Sequence, residues 1–128
     1  MRLLLDTHAL LWWQTNDPQL SSAVREALLS TSTEVWVSAA SAWEIATKQR
    51  LGKLPGFGPV QQWFFDLAAA DGFSVLDISA AHALRAGAYT TAHRDPFDRV
   101  LAAQADLERL DLVTCDSALA HFGCRLFW

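Results

Sequence analysis

Short apolar runs alternate along the chain with longer segments in which apolar residues recur at helical spacing. Brief runs rich in Leu, Val and aromatic residues are typical of strands that are covered on both faces of a parallel sheet. The longer segments between them predict helices, so the whole pattern indicates successive βα units. The predicted strands are Leu3–Leu5, Val35–Val37, Phe73–Leu76, Leu112–Thr114 and a short last one near Leu126.

Seven helical segments are predicted between and after these strands, and one breaker-rich stretch from Gly52 to Gly58 predicts a loop. The predicted helices are His8–Gln14, Ser22–Ser30, Ala39–Leu51, Val60–Ala70, Ala80–Thr91, Phe97–Leu110 and Ser117–Phe122. A length of 128 residues is close to the commonest domain size. We therefore expect one domain over residues 1–128, an α/β three-layer sandwich with a parallel sheet of about five short strands flanked by helices.

The composition excludes several functional classes. Apolar residues make up 52% of the chain and charged residues 19%, which excludes an intrinsically disordered acidic tail. A net charge of −4 excludes the basic field that non-specific nucleic-acid binders carry. Any action on nucleic acid would therefore depend on a local patch or on a metal ion.

Neither a membrane segment nor a secretion signal is visible in the sequence. No apolar run approaches the roughly 18 residues of a membrane span, and the opening Met-Arg-Leu-Leu-Leu-Asp lacks the pattern of a signal peptide. The two cysteines, Cys115 and Cys124, fit neither a metal-binding spacing nor a disulfide framework. We expect a protein of the reducing cytoplasm with no membrane partner.

Acidic residues are the candidate chemistry, and they stand where strands end. Asp6 directly follows the first predicted strand, and Asp116 follows the fourth. Glu44 lies on the helix after the second strand, and Asp98 in the first turn of a later helix. Open α/β sheets bind ligands beyond the carboxyl ends of their strands, so we expect these four acids at one rim.

Each of these acids also has a purely structural interpretation. Asp6 and Asp116 precede helices, where an Asp side chain commonly caps free backbone N–H groups. Asp98 would interact favourably with the helix dipole, and Ser41-x-x-Glu44 matches the capping-box pattern. Taken one at a time, the acids favour capping over chemistry.

Taken together, the acids favour a metal site. Carboxylates gathered at one sheet edge repel each other unless a cation lies among them. Oxygen ligands without Cys or His suit Mg²⁺ or Mn²⁺ better than Zn²⁺. Such an ion can activate water for attack on a phosphodiester, so acids with nearby Arg and Lys indicate phosphoryl chemistry.

Four stretches in order resemble the PIN-domain ribonucleases, and within them the VapC-type toxins of type II toxin–antitoxin pairs. The resemblance covers the chain from Leu3 to about Phe122. The second stretch is followed by Lys48 and by the loop Gly52-Lys53-Leu54. The four stretches are Leu4–Trp12, Val37–Ile45, His93–Ala105 and Leu112–Leu119.

The resemblance implies a PIN-like fold in which Asp6, Glu44, Asp98 and Asp116 form a catalytic metal site for Mg²⁺, with Mn²⁺ able to substitute. It further implies cleavage of RNA, inhibition by a cognate VapB-type antitoxin, and a homodimer. Asp95, ahead of Pro96, keeps the interpretation of a helix cap.

Other polar residues near the acids are weaker candidates. Thr7, Ser38 and Thr114 stand beside the acids and could position a carboxylate or a water, although capping and sheet packing explain Ser38 and Thr114 equally well. Thr7 and Thr114 are also candidate substrate contacts. Arg99 is the first candidate for a substrate phosphate, with a solvated surface position as the alternative. The basic residues Lys48, Arg50, Lys53 and Arg94 are weaker candidates for the same role. The four histidines have no ligand spacing and are interpreted as structural or surface residues.

Trp12 and Trp13 are adjacent, so both cannot face the core from one helix. We expect at least one to be exposed, with Trp43 nearby, either to anchor the antitoxin or to stack on an unpaired base. The sequence as a whole predicts a metal-dependent endoribonuclease that acts as a toxin. The alternative is a PIN-like module that binds RNA or a protein without cutting.

Overall fold

A five-stranded sheet forms the centre of the molecule in the computed structural model, which describes all 128 residues. Every pair of neighbouring strands is parallel, and the spatial order is β3-β2-β1-β4-β5. The α/β fold with about five short parallel strands is therefore confirmed. The strands are β1 (Arg2–Leu5), β2 (Glu34–Ser38), β3 (Ser74–Leu76), β4 (Asp111–Val113) and β5 (Leu126–Phe127).

Six α-helices and one 3-10 helix connect and cover these strands. No helix combines the length and the apolar character that crossing a membrane would require. The helices are α1 (Thr7–Gln14), α2 (Ser22–Leu29), α3 (Ala39–Arg50), α4 (Val60–Asp71), α5 (Ala80–Ala88), α6 (Pro96–Leu107) and the 3-10 helix (Ser117–Phe122).

The strands divide their side chains between two apolar layers, one on each face of the sheet. In β1, Leu3 and Leu5 enter the larger cluster, whereas Leu4 enters the smaller one. This division follows from the two-residue period of a strand. All three leucines are fully buried, which explains why β1 is a continuous apolar run without alternation.

Two helices end three residues earlier than the sequence predicts. Helix α5 ends at Ala88 and not at Thr91, and α6 ends at Leu107 and not at Leu110. Helix α6 stops because Arg109 adopts a left-handed backbone with a φ of 57°. The last predicted helix is a 3-10 helix that ends at Gly123, whose φ of 83° suits glycine.

A buried side-chain bridge joins the carboxyl ends of β2 and β3 to α6. The hydroxyl of Ser38 donates to Oε1 of Gln104 at 2.5 Å, and Nε2 of Gln104 donates to the carbonyl of Asp77 at 3.3 Å. The same Ser38 oxygen accepts the N–H of Ala40 and so caps α3. Gln104 therefore fixes α6 against the edge of the sheet where the acids lie.

We predict that Gln104→Ala lowers the free energy of unfolding by about 2 kcal/mol, because it removes one buried and one part-buried hydrogen bond and leaves a cavity. Urea denaturation measures the change. Gln62→Ala, at an exposed position of α4, is the control and should change stability by less than about 0.5 kcal/mol. Equal stability of the two variants would contradict the bridging role.

Candidate metal centre

One cavity of about 180 Å³ brings together the four acids that the sequence singled out. The four acids come from separate segments of the chain, and all of them line this cavity: Asp6, Glu44, Asp98 and Asp116. Asp95 lines it as well, so five carboxyl groups share the space with a single lysine or arginine side chain, that of Lys48. The remaining lining residues are Thr7, His8 and Leu119.

Asp6 is one of two deeply buried carboxyl groups of the cavity, with 6% of its surface exposed. It follows β1, the central strand, and its Oδ1 accepts the N–H of Ala9 at 2.8 Å to cap α1. Burial raises the pKa of Asp6 to about 6, while the Thr114 side chain and the Ala9 amide act in the opposite direction. A buried carboxylate of this kind is stabilised by a nearby cation.

Asp116 combines a capping role with a place in the cavity. Its Oδ1 accepts the N–H of Ala118 at 3.0 Å and caps the 3-10 helix. Its own N–H donates to the hydroxyl oxygen of Thr114 at 3.0 Å. Capping and cavity lining are therefore compatible at both Asp6 and Asp116, because the recorded cap uses one carboxylate oxygen of each.

Glu44 is buried at 4% exposure and forms an ion pair with Lys48 one turn further along α3. Nζ of Lys48 lies 2.6 Å from Oε2 of Glu44. The expected capping box of Ser41 and Glu44 is wrong, because Ser38 caps α3 and places Ser41 inside the helix. The side chain of Glu44 is consequently free to enter the cavity.

Asp98 is half-buried in the first turn of α6 and contacts a histidine. Nε2 of His93 lies 2.9 Å from Oδ2 of Asp98. Burial raises the pKa of Asp98, and the hydrogen bond from His93 opposes that rise. The expectation for Asp95 is confirmed, since its Oδ1 accepts the N–H groups of Phe97 and Asp98 and caps α6.

The donor set of this cavity suits a hard divalent cation, because it consists of carboxylate oxygens without a cysteine. No three Asp, Glu, His or Cys groups converge closely enough to form a ready-made chelate. Two of the four acids contact basic side chains, Glu44 with Lys48 and Asp98 with His93. Loading a metal ion would therefore require small side-chain movements within the cavity.

The two threonines proposed as substrate contacts are both buried, Thr7 at 4% exposure and Thr114 at 3%. The hydroxyl of Thr7 donates to Oγ of Ser41 at 3.0 Å and links α1 to α3. Thr114 orients Asp116, as described above. Substrate binding by these hydroxyls stays a prediction, while their contacts in the structure position α1 against α3 and orient Asp116.

Arg99 does not point its guanidinium group at the cavity, and this corrects its expected role at a substrate phosphate. It donates instead to the backbone carbonyls of Ala86, Tyr89, Thr91 and His93. The four distances lie between 2.5 and 3.4 Å. Arg99 thus holds together the end of α5 and the segment that leads to α6, which explains why α5 stops at Ala88.

The tryptophans also differ from expectation, because contacts within the protein partly bury both Trp12 and Trp13. Trp12 and Trp13 are both half-buried against the larger apolar cluster, and Nε1 of Trp13 donates to Asp71 at 2.9 Å. The exposed tryptophan is Trp43, at 55% exposure, whose ring meets that of Phe97 edge-on at 4.8 Å. The ring of Trp12 packs edge-on against that of Trp128, near the chain end. Local sequence spacing does not reveal this contact.

Sequence reasoning gave too little weight to Lys48 and missed His93 and Gln104. The spacing of four residues between Glu44 and Lys48 was a usable signal, because such pairs meet on a helix. No such signal marked His93, since its contact with Asp98 depends on the path of the segment between α5 and α6. Gln104 lay unnoticed within an apolar helical stretch.

Comparison with known proteins identifies the family. The family model of the PIN domain matches residues 3–123, nearly the whole chain. The chain therefore belongs to the PIN domain family, whose members as a class are nucleases that generally use divalent metal ions. No curated protein sequence matches the chain.

Solved structures with the same fold include chains of several toxin–antitoxin complexes. VapBC2 from Rickettsia felis, bound to a promoter DNA fragment, gives a TM-score of 0.71 at 17% identity over 98% of this chain and 96% of that one. VapBC-1 from nontypeable Haemophilus influenzae gives 0.68 at 16% identity over 99% and 97%. FitAcB from Neisseria gonorrhoeae gives 0.67 at 20% identity over 98% and 96%. At these identities the likeness establishes a shared fold.

We predict that Asp6→Asn stabilises the metal-free protein at pH 7.5 by about 1–3 kcal/mol. The folded-state pKa of Asp6 is raised to about 6 from 3.8, so folding favours its protonated form. The contribution of Asp6 to stability is thus full below pH 4 and is lost as the pH rises through 6. The amide of Asn retains an oxygen that can accept the N–H of Ala9.

Thermal melting of both proteins in chelator between pH 3.5 and 8 measures the difference in stability. The difference in stability between variant and wild type should grow between pH 4 and 6 and stay constant at higher pH. A variant that is less stable than wild type at pH 7.5 would contradict the prediction, because it would show that the ionised carboxylate of Asp6 stabilises the metal-free fold.

Proposed function

We propose that this protein is a metal-dependent endoribonuclease that cleaves RNA phosphodiester bonds and acts as the toxin of a toxin–antitoxin pair. The observation that carries the proposal is the convergence of Asp6, Glu44, Asp98 and Asp116 in one cavity at the carboxyl edge of a PIN-domain sheet. Membership of a nuclease family supports the reaction class.

The four acids are the residues that would hold Mg²⁺, with Mn²⁺ as a substitute. A divalent ion bound there supplies the Lewis acidity that phosphodiester hydrolysis needs. Asp6 provides a buried oxygen at the end of the central strand, and Thr114 and the helix caps fix the approach of Asp6 and Asp116. The hydroxyl of Thr7 links α1, which Asp6 caps, to α3, which carries Glu44.

Lys48 is our candidate for contact with the substrate phosphate. Among the residues that line the cavity it is the only lysine or arginine, and its side chain is 36% exposed. The surrounding carboxylates repel a polyanion at short range. Productive binding of RNA therefore depends on a cation in the cavity, in agreement with the net charge of −4.

We predict that the purified protein, freed of any partner, cuts a mixed RNA pool in Mg²⁺ or Mn²⁺ and not in chelator. Asp98→Asn should reduce the rate by a factor of 100 or more, because it weakens a charged metal ligand. Asp66→Asn is the matched control, since it removes the same charge from an exposed position of α4. Gel analysis of end-labelled RNA measures the rates.

Equal cutting by wild type and Asp98→Asn would contradict the assignment of the site. Metal-independent cutting would contradict the mechanism. RNA binding by the folded protein without cleavage in either metal would favour the non-cleaving PIN-like module.

We further propose that a VapB-type antitoxin binds this chain and that the chain forms a homodimer. Similar solved structures are toxin–antitoxin complexes, which supports the first part. An apolar groove of about 220 Å³ lies between α3, α4 and β3, lined by Ala46, Phe64 and Val75 among others. Phe65, at its edge, is 69% exposed, so the groove offers an anchor for the apolar face of a partner helix.

We predict that Phe65→Ala weakens binding of the antitoxin encoded beside this protein by about tenfold or more, because it removes an aromatic anchor. Titration calorimetry on the purified pair measures the affinity. Leu84→Ala, at an exposed apolar position on α5, is the control and should bind like wild type. Unchanged affinity of Phe65→Ala would exclude this groove as the docking site.

A further inference from the structure

The guanidinium group of Arg99 binds the backbone of the segment between α5 and α6 at several points. Arg99, on α6, donates to the carbonyls of Tyr89, Thr91 and His93 within this segment, and to Ala86 in the last turn of α5. Its guanidinium also lies 6.0 Å from the centre of the Phe122 ring. These bonds give residues 89–93 a fixed path on the protein surface without regular secondary structure.

This path delivers His93 to the cavity. The carbonyl of His93 accepts from Nη1 of Arg99 at 2.8 Å, which fixes its backbone. Its ring packs edge-on against Phe122 with the centroids 5.3 Å apart, which fixes its side chain. The imidazole is thus held on one side by an aromatic ring and meets a carboxylate on the other.

That carboxylate belongs to Asp98, whose two oxygens are made different by the contact. Nε2 of His93 lies 2.9 Å from Oδ2, and an ionised carboxylate can only accept, so the imidazole N–H donates. Oδ1 of Asp98 has no recorded protein partner. The hydrogen bond therefore fixes the rotation of the carboxylate and leaves one oxygen available.

Without this bond, nothing else recorded in the structure orients the carboxylate of Asp98. Asp95 caps α6 through the backbone N–H of Asp98 and leaves its side chain untouched. The charges of Asp95 and Glu44 act unfavourably on an ionised Asp98. A free Asp98 side chain would turn away from the other acids.

We propose that His93 is a positioning residue that orients Asp98 for a divalent metal ion, and that Arg99 positions His93 in turn. The inference rests on the metal site of the proposed function. It assigns to His93 the role of an outer partner that hydrogen-bonds a ligating carboxylate, which in known metal sites changes metal affinity by about 10–100-fold.

Two substitutions separate the hydrogen bond of His93 from its packing. His93→Phe keeps a ring against Phe122 and removes the donor. His93→Gln keeps an N–H donor and removes the ring. His121→Phe, at an exposed position of the 3-10 helix, is the control for adding a phenylalanine.

The measurement is Mn²⁺ affinity of the purified full-length protein, read from the electron paramagnetic resonance of free Mn²⁺ and requiring no RNA. We expect His93→Phe to bind about tenfold or more weakly. We expect His93→Gln to remain within about threefold of wild type and His121→Phe to match it. Thermal melting in chelator establishes that each variant is folded at the assay temperature.

The opposite order, with His93→Phe like wild type and His93→Gln impaired, would reduce His93 to a packing role and overturn the inference. Tighter binding by His93→Phe would also overturn it, because His93 would then compete with the metal. If wild type and Asp98→Asn both fail to bind Mn²⁺, the proposed metal site itself fails. Binding by wild type with no change in any His93 variant overturns only the positioning role.

Discussion

The burial of a carboxyl group at the end of the central strand is the constraint on which the rest of the site depends. Asp6 follows three fully buried leucines, so the path of β1 carries it under the surface before the chain turns into α1. Burial raises its pKa to about 6. The strand order places β2 and β4 on either side of β1, which draws the other acids to the same edge. A cavity lined by carboxyl groups is the direct result of this topology.

Asp6 and Asp116 each combine helix capping with a place in the cavity. A carboxylate that caps a helix is already held rigidly at the helix N-terminus, and the recorded bonds of Asp6 and Asp116 use one oxygen each. The second oxygen then lies at the edge of the sheet at no further cost in side-chain entropy.

The basic side chains near the cavity differ in what they contact. Lys48 and His93 each meet one carboxylate of the cavity directly. Arg99 instead satisfies backbone carbonyls, a task suited to its planar group of five N–H donors. Arg99 directly follows Asp98 in the sequence. Successive residues of a helix point about 100° apart, so the two side chains face different directions.

The sequence by itself determined the sheet, the positions of the helices and the convergence of the four acids. Apolar periodicity and strand-end placement are local properties, and parallel strands carry their ends to one edge whatever the loops do. Only the tertiary structure decided the roles of His93, Arg99 and the tryptophans. Trp12 is covered by Trp128 from the far end of the chain, and His93 reaches Asp98 along a segment without regular structure. Contacts of this kind depend on the path of irregular backbone and on distant partners, which no local pattern encodes.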